Sequence, residues 1–177
     1  KDGFQGSRVL TIARLSTQKG LDLALPAIAA LREKGLKFRW YIIGVGPEEE
    51  SLKEQARSLG IEQNVCFLGE QANPYPFLRA CEVYLQPSRF EGKSIAVDEA
   101  MVLCKPILLT DFSTAADQVT SGKNGLIVPM TPEGIAEGLE KLLTDSALRK
   151  EFHNALAAED FTNENEIEKV YSLLSIE

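Results

Sequence analysis

Short apolar stretches alternate with amphipathic stretches along almost the whole chain. The apolar stretches are continuous and rich in β-branched residues, as buried strands are, and they cover residues 8–13, 38–43, 65–68, 83–85, 106–109 and 126–128. Helical spacing of apolar residues covers 20–34, 47–58, 74–81, 94–103, 114–120, 132–143, 146–157 and 164–174. Since buried strands that alternate with helices form parallel sheets, this order predicts an α/β fold. We expect a mostly parallel sheet of about six strands with helices on both faces and extra C-terminal helices.

The first predicted helix contains a residue that helix interiors disfavour. Pro26 has no amide N–H, and its ring collides with the carbonyl group four residues earlier. We therefore expect this helix to begin late, near Asp22, so that the proline falls within about the first turn.

The composition narrows the possible classes of protein. The chain has 177 residues, 44% of them hydrophobic and 25% charged, which is typical of one soluble globular domain. The net charge of −7 argues against a nucleic-acid surface, and no apolar run reaches the length of about 18 residues that a membrane span needs. The single histidine argues against His-based catalysis. Three scattered cysteines predict reduced thiols in a cytoplasmic protein.

Candidate binding residues follow the first predicted strand. In sheets of this kind, ligands bind beyond the carboxyl ends of the strands, where the strand order reverses. Arg14 follows the strand directly, and Lys19 precedes the helix that opens at Gly20. Two cations beside a helix N-terminus can hold an anion together with backbone N–H groups. The alternative is a pair of solvated surface charges, and the residues alone leave both interpretations open.

Two loops resemble known phosphate-binding motifs without fulfilling them. Residues 44–47 read Gly-Val-Gly-Pro, but the dinucleotide motif requires a third glycine where Glu49 stands, so a tight turn is the better interpretation. Residues 92–94 read Gly-Lys-Ser, but the P-loop requires its first glycine where Pro87 stands, and Glu91 would lie among the phosphates. We therefore reject the P-loop and prefer a tight turn at residues 44–47.

Residues 87–100 fit the binding of a sugar nucleotide better. Ser94 is a natural N-cap, which would direct the N–H groups of residues 93–96 outward to a diphosphate. Glu91 precedes the helix and Glu99 lies roughly 7–8 Å along it, so the two carboxylates can accept hydrogen bonds from hydroxyl groups on either side of the phosphates. The alternative is one loop glutamate and one helix glutamate in contact with water.

Four cations fall in loops at this predicted edge, namely Arg14, Lys19, Arg89 and Lys93. A diphosphate would feel them within a Debye length of roughly 8 Å, whatever the net charge of the chain. We therefore expect local positive charge at the edge of an acidic protein.

These segments, in this order, resemble the C-terminal, donor-binding domain of retaining glycosyltransferases of family 4, the group 1 type, which have the GT-B fold. The resemblance extends from residue 8 to about residue 174. Glu91 and Glu99 match the family's two glutamates separated by seven residues. The other matches are at residues 12–15 (IARL), 19–20 (KG), 42–47 (IIGVGP), 67–69 (FLG), 87–88 (PS), 105–106 (KP), 110–111 (TD) and 124–128 (NGLIV).

The resemblance implies a role for each matching position. Arg14 and Lys19 would bind the donor diphosphate and stabilise the departing nucleotide, and Glu91 would contact the sugar, which makes these three the expected catalytic residues. Glu99 would bind the ribose hydroxyl groups, and Gln71 would lie along the base. The start of the helix would contribute further contacts to sugar or phosphate from Gly92, Lys93, Ser94 and Ile95. Lys93 occupies a variable site and is a candidate for sugar choice.

The resemblance further implies the chemistry and the domain organisation. The substrate would be a UDP- or GDP-linked sugar, and a hexosyl group would pass to an acceptor in polysaccharide or glycan synthesis, without a metal or other cofactor. Residues 1–7 would be a linker or the remnant of a cut, and residues 8–160 the Rossmann-like nucleotide-sugar-binding domain. Residues 161–177 would form a helix that crosses to a missing N-terminal, acceptor-binding domain. The fragment would be inactive alone and cytoplasmic, reaching the inner membrane face only through that domain.

Some positions depart from the family's pattern. Ala13 stands where a glycine is usual, which is a small change. Cys104 replaces a common glycine, and we expect this to affect packing only. Ser113, Thr114 and Asp117 replace a frequent Gly-Gly-Glu arrangement, so no role is carried over to them.

Other classes of protein remain as alternatives. A nucleotide-sugar epimerase on the same fold and a non-catalytic nucleotide-binding module both fit the pattern. A receiver-like module would need an acidic cluster where Arg14 stands. A glycosidase also uses paired carboxylates, but a pair beside two cations suits phosphate better.

Overall fold

The computed structural model describes residues 3–159 and 161. Its centre is a six-stranded sheet in the order β3-β2-β1-β4-β5-β6, in which all neighbouring strands are parallel. The strands are β1 (Ser7–Ile12), β2 (Phe38–Ile43), β3 (Val65–Phe67), β4 (Val83–Gln86), β5 (Ile107–Thr110) and β6 (Gly125–Val128). Each lies within one residue of its predicted bounds, and the α/β Rossmann-like fold is confirmed.

Helices cover both faces of this sheet. The described residues form α1 (Leu21–Glu33), α2 (Glu49–Ser58), α3 (Tyr75–Ala80), α4 (Ile95–Val102), α5 (Ala115–Gln118), α6 (Pro132–Thr144) and α7 (Ser146–Ala157). Successive residues of β1 belong to different apolar clusters. Val9 packs in a cluster with residues of α1, α2 and α6, whereas Leu10 packs in a cluster with residues of α3, α4 and α5. Since neighbouring residues of a strand point to opposite faces, the chain buries both sides of its sheet. The predicted helix at 164–174 lies outside the described residues.

The proline in α1 lies deeper in the helix than the sequence suggests. α1 begins at Leu21, so Pro26 falls in the second turn and not the first. A proline there removes the hydrogen bond that the carbonyl of Asp22 would receive. Gln55 of α2 replaces it, because its Nε2 donates to the Asp22 carbonyl oxygen at 3.0 Å. Tertiary packing thus satisfies the group that the proline leaves open.

The turn after α4 corrects our expectation for Cys104. Its backbone has φ of +53°, the left-handed region that favours glycine, so the replacement affects the backbone as well as packing. The N–H of Cys104 donates to the carbonyl of Met101, and that of Lys105 to the carbonyl of Ala100. These bonds close the C-terminal end of α4 in spite of the unfavourable dihedral angle.

The strand order places the candidate site. β1 and β4 are neighbours, but the chain leaves β1 towards β2 and leaves β4 towards β5 on the other side. The loops after β1 and β4 therefore diverge and open a crevice at the carboxyl edge of the sheet. Within the described residues, no helix is both long and apolar enough to cross a membrane.

Candidate functional site

The loops after β1 and β4 are joined directly by backbone contacts. The N–H of Arg89 donates to the carbonyl of Gln18 at 2.8 Å, and the Gln18 side chain donates to the carbonyl of Phe90 at 3.0 Å. Gly20 has φ of +63°, and a Cβ there would lie 2.0 Å from the carbonyl oxygen of Pro87. Only glycine allows the two loops to approach this closely.

A buried carboxylate lies where the two loops meet. Glu91 is 5% exposed, and Lys19 Nζ lies 2.6 Å from its Oε1 and 2.8 Å from its Oε2. Gln86 Nε2 and Ser88 Oγ also donate to Glu91 Oε1, at 2.7 and 2.6 Å. We call Lys19, Gln86, Ser88 and Glu91 the glutamate cluster. A buried charge is tolerated when it is paired and hydrogen-bonded, and this carboxylate is both.

Further hydrogen bonds hold the glutamate cluster to the strands. Tyr84 OH donates to Gln86 Oε1 at 2.8 Å, and burial raises the pKa of this tyrosine, so it remains a neutral donor. Thr110, at the end of β5, donates to the carbonyl of Ser88 at 2.6 Å. The cluster therefore rests on β4 and β5, which position it more rigidly than a free loop would.

The start of α4 adjoins the glutamate cluster, and some of its N–H groups already have hydrogen-bond acceptors within the chain. Ser94 caps the helix as predicted, its Oγ accepting from the N–H of Val97 at 3.4 Å. The N–H of Ser94 itself donates to Gln118 Oε1 at 3.0 Å, so our expectation that it points to a ligand is wrong. Among the described residues, the N–H groups of Ile95 and Ala96 have no hydrogen-bond acceptor.

Position 114, to which we carried over no role, contacts the site. Thr114 Oγ1 lies 2.9 Å from the carbonyl oxygen of Glu91 and 2.7 Å from that of Gly92. Its hydroxyl group thus ties the loop after β5 to the loop after β4. Gly92 itself is exposed, and a Cβ there would meet open space.

Three of the four predicted cations are already paired with carboxylates. Besides Lys19, Arg89 binds both oxygens of Asp22 at 2.7 Å, and Lys93 lies 3.2 Å from Asp98. The Arg89 guanidinium lowers the pKa of the Asp22 carboxyl group. The expectation of local positive charge at this edge is therefore correct only in part, because carboxylates neutralise three of the four cations. Arg14 is exposed, and within residues 3–159 and 161 it forms no ion pair.

Arg14 lines an open cavity beside the glutamate cluster. The cavity has a volume of about 610 Å³ and lies between the loops after β1, β2 and β3. Gln71 also lines it, and its Nε2 donates to the carbonyl of Leu68 at 2.7 Å. We call this space the Arg14 cavity. The remainder of its lining comprises Ile12, Ala13, Ile43, Gly44, Val45, Gly46, Glu70 and Pro74.

Glu99 lies on α4 and has a partner that the sequence did not reveal. Tyr75, at the start of α3, donates its hydroxyl group to Glu99 Oε1 at 2.9 Å, which raises the pKa of the tyrosine. Tyr75 follows Pro74, a residue of the Arg14 cavity, and is itself exposed. The pair thus connects α4 with the loop that leads into the cavity.

The predicted residues fall into two neighbouring groups. Lys19 and Glu91 lie in the glutamate cluster beside the start of α4, whereas Arg14 and Gln71 line the Arg14 cavity. Neither the cavity nor the cluster contains Glu99. Four further residues of the site were not predicted from the sequence, namely Gln86, Ser88, Thr114 and Tyr75. For Gln86 a signal was present, since it is a polar residue directly after the apolar residues 83–85.

Comparison with known proteins gives a family match over most of the chain. The family described as glycosyl transferases group 1 matches residues 5–158. A curated relative is the N-acetylgalactosamine-N,N'-diacetylbacillosaminyl-diphospho-undecaprenol 4-alpha-N-acetylgalactosaminyltransferase of Campylobacter jejuni. It is 30% identical over 156 residues, which is 87% of this chain and 41% of the relative. The chain spans half or less of the length of the first curated relatives it matches.

Solved structures share the fold. Anabaena Alr3699/HepE, in complex with UDP and glucose, superposes with a TM-score of 0.85 at 24% identity, covering 96% of this chain and 48% of that one. The C-terminal domain of a glycosyl transferase group 1 family protein (LpcC) from Francisella tularensis gives 0.76 at 22% identity. It covers 86% of this chain and 84% of that one. These likenesses concern the architecture of the six-stranded sheet and its helices.

Proposed function

Because the chain belongs to the glycosyl transferases group 1 family, we propose that residues 8–160 are the donor-binding half of a retaining hexosyltransferase. The donor is a nucleotide-diphosphate sugar, UDP- or GDP-linked, bound at the carboxyl edge of the sheet. One observation carries the proposal. A buried, hydrogen-bonded Glu91–Lys19 pair lies beside a helix start, in the loops that also carry the unpaired Arg14, where the strand order reverses.

Arg14 is the proposed diphosphate ligand. A guanidinium group offers paired donors that match phosphate oxygens, and no carboxylate in the described residues forms an ion pair with it, although Glu70 lines the same cavity. As the nucleotide departs, negative charge grows on the diphosphate, and a preorganised cation stabilises that charge in the transition state. The proposal calls for no metal, because the cations of the chain carry this role.

Lys19 is proposed to serve both the sugar side and the phosphate side. Its ammonium group has three donors, and its contacts with Glu91 Oε1 and Oε2 engage two of them. The third remains for a phosphate oxygen. Lys19 would thus hold the Glu91 carboxylate in place while contributing positive charge to the departing nucleotide.

The remaining roles follow the course of the ligand across the edge. Glu91 accepts a hydrogen bond from a hydroxyl group of the sugar. The helix start contributes contacts to sugar or phosphate from Gly92, Lys93 and Ile95, with Ser94 as its cap. Glu99, which Tyr75 holds by a hydrogen bond, accepts a hydrogen bond from a ribose hydroxyl group. Gln71 lies along the base in the Arg14 cavity, whose volume of about 610 Å³ lies within the usual size of a small-molecule site.

The acceptor is proposed to bind outside this chain. The chain covers 41% of its Campylobacter relative and 48% of Alr3699/HepE, so most of each of those proteins lies in other segments. We propose that such a segment forms the acceptor site of the whole cytoplasmic enzyme, which acts in polysaccharide or glycan synthesis. The chain alone then binds donor but transfers no sugar.

A titration with UDP, GDP and ADP, followed by backbone amide NMR shifts, tests the proposal. We expect one nucleotide to shift the amides near Arg14, Lys19 and Ser94. The proposal fails if none of the three nucleotides perturbs these amides at millimolar concentration.

A variant then tests the role of Arg14. Arg14→Ala is expected to weaken binding of the favoured nucleoside diphosphate at least about tenfold, since one charge-assisted contact is lost. Binding of the corresponding nucleoside should change far less. Arg57→Ala, which removes an exposed arginine of α2, is the matched control and should leave both affinities unchanged. Equal losses for diphosphate and nucleoside would contradict the assigned role.

A further inference from the structure

Gln86 is a buried polar residue at the end of β4. It is 1% exposed, and its side-chain hydrogen bonds are to the buried side chains of Tyr84, Ser88 and Glu91. Its Nε2 donates to Glu91 Oε1 at 2.7 Å and to Ser88 Oγ at 3.0 Å. Burying an amide in a strand is costly unless every such group is satisfied, so this position calls for a reason beyond packing.

The hydrogen bonds define the orientation of the Gln86 amide. Tyr84 OH is a donor to Gln86 Oε1 at 2.8 Å, which leaves the NH2 group directed at the carboxylate of Glu91. The reversed amide would bring its oxygen against the negatively charged Glu91 Oε1 and lose both bonds to the cluster. The Glu91 carboxylate, which can only accept, therefore selects the amide orientation that donates to it, and Tyr84 OH complements that orientation by donating to the amide oxygen.

The two carboxylate oxygens of Glu91 have different surroundings. Oε1 accepts three hydrogen bonds, from Lys19, Gln86 and Ser88, at 2.6 to 2.7 Å. Oε2 accepts from Lys19 alone, at 2.8 Å, among the described residues. Since a carboxylate oxygen has room for about two good acceptor contacts, Oε1 is saturated and Oε2 retains acceptor capacity.

We propose that Gln86 is a positioning residue that locks Glu91 Oε1 into the cluster and thereby presents Oε2 to a hydroxyl group of the donor sugar. This inference rests on the proposed function, and it adds a residue that touches neither sugar nor nucleotide. Gln86 acts through Glu91: it sets the rotation of the carboxylate about its bond to the side chain. Among the described residues, its side chain bonds neither to Arg14 nor to Lys19, the two proposed diphosphate ligands, so a change at Gln86 removes no contact to the diphosphate directly.

The test separates the contribution of the sugar to the binding affinity from that of the diphosphate. Affinities are measured for UDP-glucose, UDP-galactose, UDP-N-acetylglucosamine and GDP-mannose and for UDP and GDP alone. The sugar gain is the ratio of affinities between the sugar nucleotide that binds best and its own nucleoside diphosphate. Gln86→Met, which has a similar length and no donor, is expected to lower the sugar gain about tenfold or more while changing the affinity for the diphosphate less than twofold.

A second variant adds a signature that a merely structural role would not produce. Gln86→Glu places a second carboxyl group beside Glu91, with Lys19 and Tyr84 facing the pair. When protonated, the introduced group can still donate to Glu91; when ionised, it repels Glu91. The sugar gain of this variant is expected to approach that of the wild type at low pH and to fall as the pH rises, while the diphosphate affinity follows the wild-type profile.

Thr11→Val is the matched control. Thr11 is also buried in a central strand. Its Oγ1 donates to the carbonyl of Leu85 and accepts from the Trp40 indole N–H, and neither partner belongs to the glutamate cluster. This variant loses buried hydrogen bonds and stability but should keep the full sugar gain. Where Gln86→Met does not fold, Ser88→Ala removes a different donor to the same oxygen, and a reduced sugar gain is again expected.

Two results would overturn the inference and leave donor binding itself intact. One is an equal loss of affinity for sugar nucleotide and diphosphate in Gln86→Met, with a pH-independent sugar gain in Gln86→Glu. The other is a wild-type chain that binds UDP or GDP but gains nothing from any of the four sugars. A wild-type chain that binds no nucleotide at all would instead overturn the proposed function and this inference together.

Discussion

The glutamate cluster and the Arg14 cavity lie side by side at the same edge of the sheet, yet they differ in almost every physical respect. In the cluster, a buried carboxylate meets an ammonium group and two neutral donors at 2.6 to 2.8 Å. In the cavity, an exposed arginine lies beside open space of about 610 Å³. In the cluster both charges are paired before any ligand arrives, whereas in the cavity Arg14 has no ion-pair partner among the described residues.

This difference separates stability from affinity. Groups in a low dielectric stabilise the fold only as a complete set, and loss of one member leaves a buried charge uncompensated. An exposed cation contributes little to folding and retains its full capacity to bind an anion. We therefore expect changes in the cluster to lower the stability of the fold as well as sugar binding, and changes in the cavity to affect binding with little loss of stability.

The largest expected effect is on the free energy of unfolding of Lys19→Met. This change leaves Glu91 buried without its cation and should cost about 3–5 kcal/mol. Arg14→Met, the matched change in the cavity, should alter stability by less than about 0.5 kcal/mol. Urea denaturation at neutral pH measures both. Adding Glu91→Gln to Lys19→Met should restore part of the loss, and equal stabilities of the two single variants would break the comparison.

A pair of glycine variants compares the packing of the two regions. Gly20→Ala brings a Cβ against the carbonyl of Pro87 at a strained φ and should cost about 2–4 kcal/mol. Gly69, in the loop before Gln71, has φ of +65° but no atom within 4 Å of its virtual Cβ. Gly69→Ala should cost only about 1 kcal/mol. Thermal unfolding measures the difference in stability between the two variants. Equal stabilities would show that the loops after β1 and β4 can move apart at little cost.

Arg89→Met tests the ion pair that flanks the cluster. Both partners are about a third exposed, so the loss at neutral pH should be less than about 1 kcal/mol and should shrink in high salt. Because Arg89 lowers the pKa of Asp22, the pair stabilises the fold above the unfolded pKa of about 4. That contribution is lost as the pH falls through the lower folded pKa, so wild type and variant should converge there. A constant difference from pH 7 to pH 2 would argue against this pair.

An effect of similar size but opposite sign is expected at the far end of α4. Cys104→Gly relieves a positive φ of +53° and should stabilise the fold by about 0.5–1 kcal/mol. Nucleotide affinity should not change, since the start of α4 and its Ser94 cap are untouched. A shift in affinity would show that stability and binding are coupled through this helix, against the separation drawn above.

Much of the fold was predictable because each element carries its own signal. The continuous apolar runs that became β1 to β6 can only be buried on both faces, and the Ser94 cap is a local hydrogen bond. The depth of Pro26 in α1 was not predictable in this way. Its cost is offset by Gln55, which is 29 residues away and reaches Asp22 only once α2 packs on α1.

The charged residues of the site were also predictable from local signals, whereas their pairing was not. From the sequence alone came the charged residues Arg14, Lys19, Glu91 and Glu99, because their types and their places after strands or on a helix are visible in the chain. Only the tertiary structure decided which of these charges are paired. Lys19 and Glu91 are 72 residues apart and meet because β1 and β4 are neighbours in the sheet, whereas Arg14 remains free. Local signals specify residues and elements, but pairing depends on contacts that form only when the sheet closes.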